Sequence, residues 1–297
     1  MAIYSIKDLE KLSGIKAHTI RIWEKRYNLI EPHRTNTNIR CYTDWDLKKI
    51  LNVSVLNRNG IKISNIAKLS DVELREEIMR VADLNPSSNT IIDAMVIAMI
   101  ELDERKFLNI LNKYIAANGF KKGITEIIYP FLTKTGVLWL AGDVNPTQEH
   151  FISNLIRQKI LAATDNLSPV FKPNASKFLL FLPEGEWHEH GLLFAQYLIK
   201  EAGHEVIYLG QSVPYSDVLA TGAVKELDHI LVSCTTAQPE FDFIRYLQDL
   251  GGAYPDKKII FSSNFLGQNV AGFTDNHIQI HHINEFIAYL KSLEESA

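Results

Sequence analysis

Cysteine is nearly absent: Cys41 and Cys234 are the only two in 297 residues, far apart and without the paired spacing of a zinc ribbon. A disulfide framework and a Cys-based zinc site are therefore not expected, and both thiols are expected to be reduced. No run of about 18 uninterrupted apolar residues occurs, and no apolar segment follows a basic start, so neither a membrane helix nor a signal peptide is expected. The expected location is the cytoplasm. Gly-x-Gly-x-x-Gly and phosphate-loop patterns are also missing, which argues against dinucleotide or nucleoside triphosphate chemistry. What is there is an ordinary globular composition, 46% hydrophobic and 22% charged, over a length that suggests two or three domains.

The net charge of −4 conceals an asymmetry. Residues 1–70 hold 13 Lys and Arg against 6 Asp and Glu, leaving 18 against 29 for the remainder. A basic end on an acidic chain points to a polyanion partner for that end alone, with double-stranded DNA the obvious one. The pattern there agrees. Ser5 with Asp8 three residues on, then Leu9 and Leu12, then Gly14, reads as a short capped helix. After the turn, Ile20, Trp23 and Tyr27 recur at helical spacing and leave His18, Thr19, Arg21 and Lys25 on the other faces. Two such helices around a Gly-containing turn form a helix-turn-helix, whose second helix enters a major groove.

The residues that follow extend the pattern: Ile20-Arg21-Ile22-Trp23-Glu24, Arg34, Ile39-Arg40-Cys41-Tyr42 and Asp46-Leu47. Together they resemble the MerR family, with its winged helix-turn-helix, over nearly all of residues 3–72. The resemblance implies that Arg34 and Arg40 in the wing and Tyr42 contact phosphates, while His18, Thr19 and Arg21 face the groove. Two further helices are expected between Trp45 and Leu69, and residues 71–84 read as helical. We take 1–72 as the DNA-binding domain and 73–89 as a linker helix and turn, with Asn85-Pro86-Ser87-Ser88-Asn89 as the break.

Residues 90–168 carry helical periodicity in four segments, 90–101, 103–117, 119–141 and 146–165, which predicts a four-helix bundle with a kink at Pro130. From 176 to 297 strand-like and helix-like runs alternate. Five strands, 177–182, 204–209, 229–233, 257–261 and 277–281, fit a flavodoxin-like (Rossmann-like) doubly wound parallel sheet, the second strand closing at Leu209-Gly210 and helices following at 192–202, 215–226, 238–249 and 283–294. The expected fold is thus multidomain, α and α/β.

Between the first strand of that sheet and its helix lies Glu186-Trp187-His188-Glu189-His190-Gly191. Neutral imidazole is a transition-metal ligand, and its second nitrogen needs an oriented partner, which Glu186 supplies at two residues' distance. Glu186-x-His188-x-x-Gly191 resembles the signature of cobalamin-binding domains, and Ser233 stands after the 41 residues from Leu192 to Val232, the spacing at which that family carries its Ser. The resemblance implies His188 as the lower axial ligand of cobalt and Ser233 beside the nucleotide tail. Thr235 replaces the family's Leu, and Ser262-Ser263 stand where it has Gly-Gly, so side chains there narrow the expected tail pocket.

Within the bundle, Trp139 is followed after nine residues by Glu149-His150. A bundle with this motif ahead of a cobalamin domain resembles the MerR regulators of the CarH type, in which these residues cover the upper face of adenosylcobalamin. Leu140 replaces the His that some photoreceptor members carry after the Trp. The resemblance implies a repressor that senses adenosylcobalamin, with light as a second input, and that works as a homo-oligomer, dimer or tetramer, on its operator. Several DNA-binding heads on one assembly gain affinity through effective concentration. An alternative keeps the head and makes the cobalamin fold an empty protein-interaction module answering to a protein antirepressor. A third reading, a corrinoid methyl carrier, has no use for the head, and the chain is not expected to be an enzyme.

Overall fold

The computed structural model describes residues 4–34, 40–84, 88–140, 145–168, 172, 174–237, 240–267 and 272–295. The chain separates into two compact units, residues 1–155 and 156–297.

In the first unit, helix α1 (Ile6–Ser13) is closed in front by a reciprocal box, with Ser5 Oγ accepting from the Asp8 N–H and the Asp8 carboxylate accepting from the Ser5 N–H, and behind by Gly14 at φ 71°. Helix α2 (Ala17–Tyr27) ends on Asn28 at φ 49°. Two short antiparallel strands, β1 (His33–Arg34) and β2 (Arg40–Cys41), form the wing, and Tyr4 pairs with Tyr42 beside it. Helix α3 (Asp44–Arg58), capped by Thr43 and Asp46, and the short α4 (Ile63–Ile66) complete the head. Its core is Leu9, Ile20, Trp23, Leu29, Ile30, Tyr42, Leu47 and Ile50, all buried. Each aliphatic side chain there contributes about 1.5–3 kcal/mol by leaving water.

Helix α5 (Asp71–Leu84) leads to α6 (Ser88–Ile100), whose residues 90–99 are all buried, so a mostly apolar helix covered on every side becomes the axis of the bundle. Ser88 and Asn89, expected in the linker turn, are already helical; both residue types suit a helix N-terminus, where their side chains meet free N–H groups. Asn85, Pro86 and Ser87 of the expected break lie outside the described residues. Around α6 pack α7 (Glu104–Asn118) and a third segment made of α8 (Phe120–Lys122), a π-helical stretch (Gly123–Ile128) and α9 (Tyr129–Leu140); α10 (Pro146–Asp165) follows. Pro130, where a kink is expected, stands in the first turn of α9, directly after that π stretch. Pro130 offers no N–H and its ring crowds the preceding turn, and the wider coil ahead of it, with Tyr129 N–H donating to the Ile124 carbonyl, relieves both.

Two clusters of charge join the head to the bundle. Asp93 on α6 accepts from Arg58 of α3 at 2.9 Å and from Lys134 of α9. Glu101, at the end of α6, pairs with Lys48 of α3 at 2.7 Å and with Lys106 at 3.2 Å. Burial pushes the Glu101 carboxyl up, but the two ammonium groups hold it below the usual carboxylate range.

The second unit is a parallel sheet of β3 (Lys177–Pro183), β4 (Glu205–Val213), β5 (His229–Cys234), β6 (Lys258–Ser263) and β7 (His277–Gln279), in the order β4-β3-β5-β6-β7. Helices α11 (His190–Glu201), α12 (Tyr215–Val224), α13 (Phe243–Ala253) and α14 (Ile283–Glu295) make the crossovers and the end. Leu179, Phe181, Ile230, Val232, Ile259 and Phe261 are buried on one face of the strands with Val218, Leu247 and Leu250 from the helices. The order reverses between β3 and β5, so the crevice of this doubly wound fold opens at their carboxyl ends.

Several expected boundaries move, those of β4 and the helix after β5 most. Strand β4 does not close at Gly210 but runs to Val213, because Gly210 at φ 89° and Ser212 at φ 52° absorb two register shifts against β3. Helix α13 begins at Phe243 rather than 238, where the Asp242 carboxylate accepts from the Arg245 N–H and caps it.

Candidate functional site

The carboxyl ends of β3 and β5 are tied together by one side chain. Glu186, in the loop after β3, is 1% exposed. Its Oε1 accepts from the N–H groups of Trp187 and His188, both at 2.9 Å, and lies 2.7 Å from His188 Nδ1. Its Oε2 accepts from the N–H groups of Thr235 and Thr236, at 2.7 and 2.9 Å, just past β5. Burial pushes this carboxyl up, but the converging donors outweigh it and hold it at about 2. A permanent carboxylate therefore fixes the Nδ1–H tautomer of His188 and leaves the Nε2 lone pair for a ligand. His188 itself is 64% exposed.

The loop around it is held at several points. Gln211 Nε2 donates to the Trp187 carbonyl at 2.8 Å, and the Gly185 N–H donates to Ser212 Oγ at 3.1 Å. Glu189, also buried, accepts from Arg157 of α10 and from the Tyr208 hydroxyl at 3.1 Å. None of these partners was legible in the motif: Gln211, Ser212, Thr236 and Arg157 lie far from it in sequence, and only the parallel sheet brings three of them to its edge. Gly191, in the first turn of α11, is exposed, and a Cβ built on it would meet nothing within 4 Å. The chain's own packing thus sets no demand for glycine there.

Ser233 and Ser262 are register partners on β5 and β6, and Ser262 Oγ donates to Ser233 Oγ at 3.0 Å. Ser263 Oγ accepts from the Phe265 N–H at 3.3 Å. Of the two hydroxyls that stand where Gly-Gly was expected, that of Ser262 thus engages the Ser expected at the tail. Cys234, next to Ser233 on β5, is buried; burial and the neighbouring Glu186 push its thiol up to about 12, which keeps it protonated. Among the described residues no three His, Cys, Asp or Glu side chains gather as a metal-binding set. A single imidazole suits a metal whose other positions a cofactor already fills.

In the first unit, Glu149 and His150 open α10; Glu149 accepts from Ser153 Oγ at 2.6 Å and lies 2.9 Å from Nδ1 of His150, which is 74% exposed. Trp139 lies in α9, and its side chain is outside the described residues.

On the head, His18, Arg21, Lys25 and Arg34 are exposed, and Thr19 and Arg40 are half-buried. Tyr42, expected at a phosphate, is fully buried: its hydroxyl donates to Glu24 at 2.9 Å, and burial with that carboxylate pushes its ionisation far up. Its phenol is core, and with Arg40, whose Nε lies 3.4 Å from Glu24, it braces the wing against α2.

Residues 4–72 match the model of the MerR HTH family regulatory proteins, and residues 91–163, on the helical bundle, match that of the B12 binding domain. Among curated proteins, the HTH-type transcriptional repressor CarH of Myxococcus xanthus is 29% identical over 258 residues, 85% of each chain. The HTH-type transcriptional repressor CarA of the same organism is 27% identical over 249 residues, 82% of this chain and 81% of the other. The monomethylamine corrinoid protein of Methanosarcina barkeri superposes with a TM-score of 0.56 at 16% identity, over 69% of this chain and all of the other, a likeness of fold alone. No helix among the described residues is long and apolar enough to cross a membrane.

Proposed function

From the premise that this chain is a transcriptional regulator joining a MerR helix-turn-helix to a B12-binding domain, we propose that it represses transcription and senses adenosylcobalamin, with light as a second input. The observation that carries this reading is the Glu186–His188 pair at the sheet's switch point, 2.7 Å apart around a buried carboxylate. His188 Nε2 would hold the cofactor's cobalt, and Glu186, accepting from Nδ1–H, would orient the imidazole toward it. Gly191 would leave room for close approach of the macrocycle. Ser233, Thr235, Ser262 and Ser263 would line the tail, and Trp139, Glu149 and His150 would attend the adenosyl ligand. The bound cofactor would supply a cobalt–carbon bond that light can break. On DNA, His18, Thr19 and Arg21 would face the groove, and Lys25, Arg34 and Arg40 the phosphates, within a homo-oligomer that sums the affinity of several heads.

One observation favours a second reading. Ser262 and Ser233, both expected beside the tail, hydrogen-bond to each other at 3.0 Å, as they would in an empty fold that binds a protein antirepressor. A visible spectrum of the protein mixed in the dark with adenosylcobalamin, desalted and then illuminated separates the two. Retained colour, a light-induced spectral change and altered operator binding are expected, with retention weakened in His188→Ala. Colourless wild-type protein would sink the sensor and leave the interaction module.

A further inference from the structure

The outward face of α2 carries an apolar residue where a DNA-reading helix has most use for selectivity. Ile20 and Trp23 turn inward and are buried, whereas Ile22 is 52% exposed. At 3.6 residues per turn, Ile22 stands close to the line of His18 and Lys25, with Arg21 flanking it. His18, Arg21, Lys25 and Arg26 are all exposed, and the one acid of the helix, Glu24, is turned to Tyr42 and Arg40. A branched aliphatic side chain beside the cations Arg21, Lys25 and Arg26 fits a partner that is a polyanion yet offers an apolar spot. In the major groove of DNA that spot is the C5 methyl of thymine.

We propose that Ile22 is a specificity-determining residue of the head, packing on a thymine methyl beside the bases faced by His18 and Arg21. The proposal rests on the DNA-binding reading above. It adds a base preference that no charged residue of the helix supplies, since Arg and Lys serve guanine and phosphate.

The test uses the full chain and a duplex enriched by it from a random pool. Each thymine is replaced in turn by deoxyuridine, which deletes only the methyl, and binding is measured for the wild type, Ile22→Ala and Ile22→Val. At one position, with its symmetry mate, uracil is expected to weaken wild-type binding roughly three- to fivefold, the size of one methyl contact. Ile22→Ala should bind the thymine duplex about that much more weakly and be indifferent to uracil there, while Ile22→Val keeps the discrimination. A position-independent loss in Ile22→Ala, or equal uracil effects in all three proteins, would overturn the assignment alone. Ile22→Ala that leaves DNA binding untouched but changes assembly would give the side chain to a protein partner and overturn it too. Failure to enrich any sequence would bring down both this proposal and the DNA-binding reading.

Discussion

Glu186→Gln keeps the shape of the side chain and removes its charge. In either orientation the carboxamide puts an NH₂ group where an oxygen now accepts two or three N–H donors, so at least two part-buried donors lose their acceptor. The carboxyl is held at about 2 against an ordinary 4.5, a difference worth about 3 kcal/mol of stability at pH 7. Two orphaned donors at about 1–3 kcal/mol each give the same order. Because the folded value is the lower one, this stability is complete above about pH 4.5 and drains away as pH falls toward 2. The gap between wild type and variant should thus shrink to about 2 kcal/mol by pH 3.5. Urea unfolding followed by circular dichroism should show the α/β transition moved down by on the order of 1–2 M at pH 7. Coincident midpoints at pH 7, or a gap that does not narrow on acidification, would refute the reasoning.

His229, buried and stacked on Phe178 at 4.3 Å, is held by burial at about 4 against an ordinary 6.5. The unfolded chain takes up a proton first, so stability should decline from about pH 6.5 to about pH 4, and a pH series of melts on His229→Phe should lose that limb. Removing the cap of α3 with Thr43→Ala should cost about 1 kcal/mol in thermal unfolding. Replacing Ser262 and Ser263 together by Gly should raise affinity for cobalamin severalfold while leaving that for cobinamide, which lacks the nucleotide, unchanged; equal changes for both would show that the hydroxyls do not meet the tail.

Local signals wrote much of this molecule openly. Ser5, Asp8 and Gly14 mark the ends of α1 because caps are satisfied within one turn, and Glu186 reaches His188 because two residues in a loop cannot avoid each other. Thr236 supplies the fourth N–H to Glu186 from 50 residues away, and Arg157 finds Glu189 from 32; such contacts exist only once strands and helices have packed. Tyr42 misled for another reason. The family resemblance implies a phosphate contact for it, whereas in the fold its backbone pairs with Tyr4 and its buried hydroxyl donates to Glu24. Likewise Gly210 reads as a strand end, whereas two residues at positive φ, Gly210 and Ser212, carry β4 onward.

The paired charges between α3 and α6 bear on how salt titrations of this protein are read. Arg58 and Lys48 are 52% and 30% exposed while their acids are nearly buried, so ions from solution reach the cations first. Salt that strips protein from DNA by counterion release also loosens the joint that carries the head. A salt titration of DNA binding therefore perturbs two sets of ion pairs at once, those to phosphate and those of the joint, and a variant with the joint made apolar would separate them.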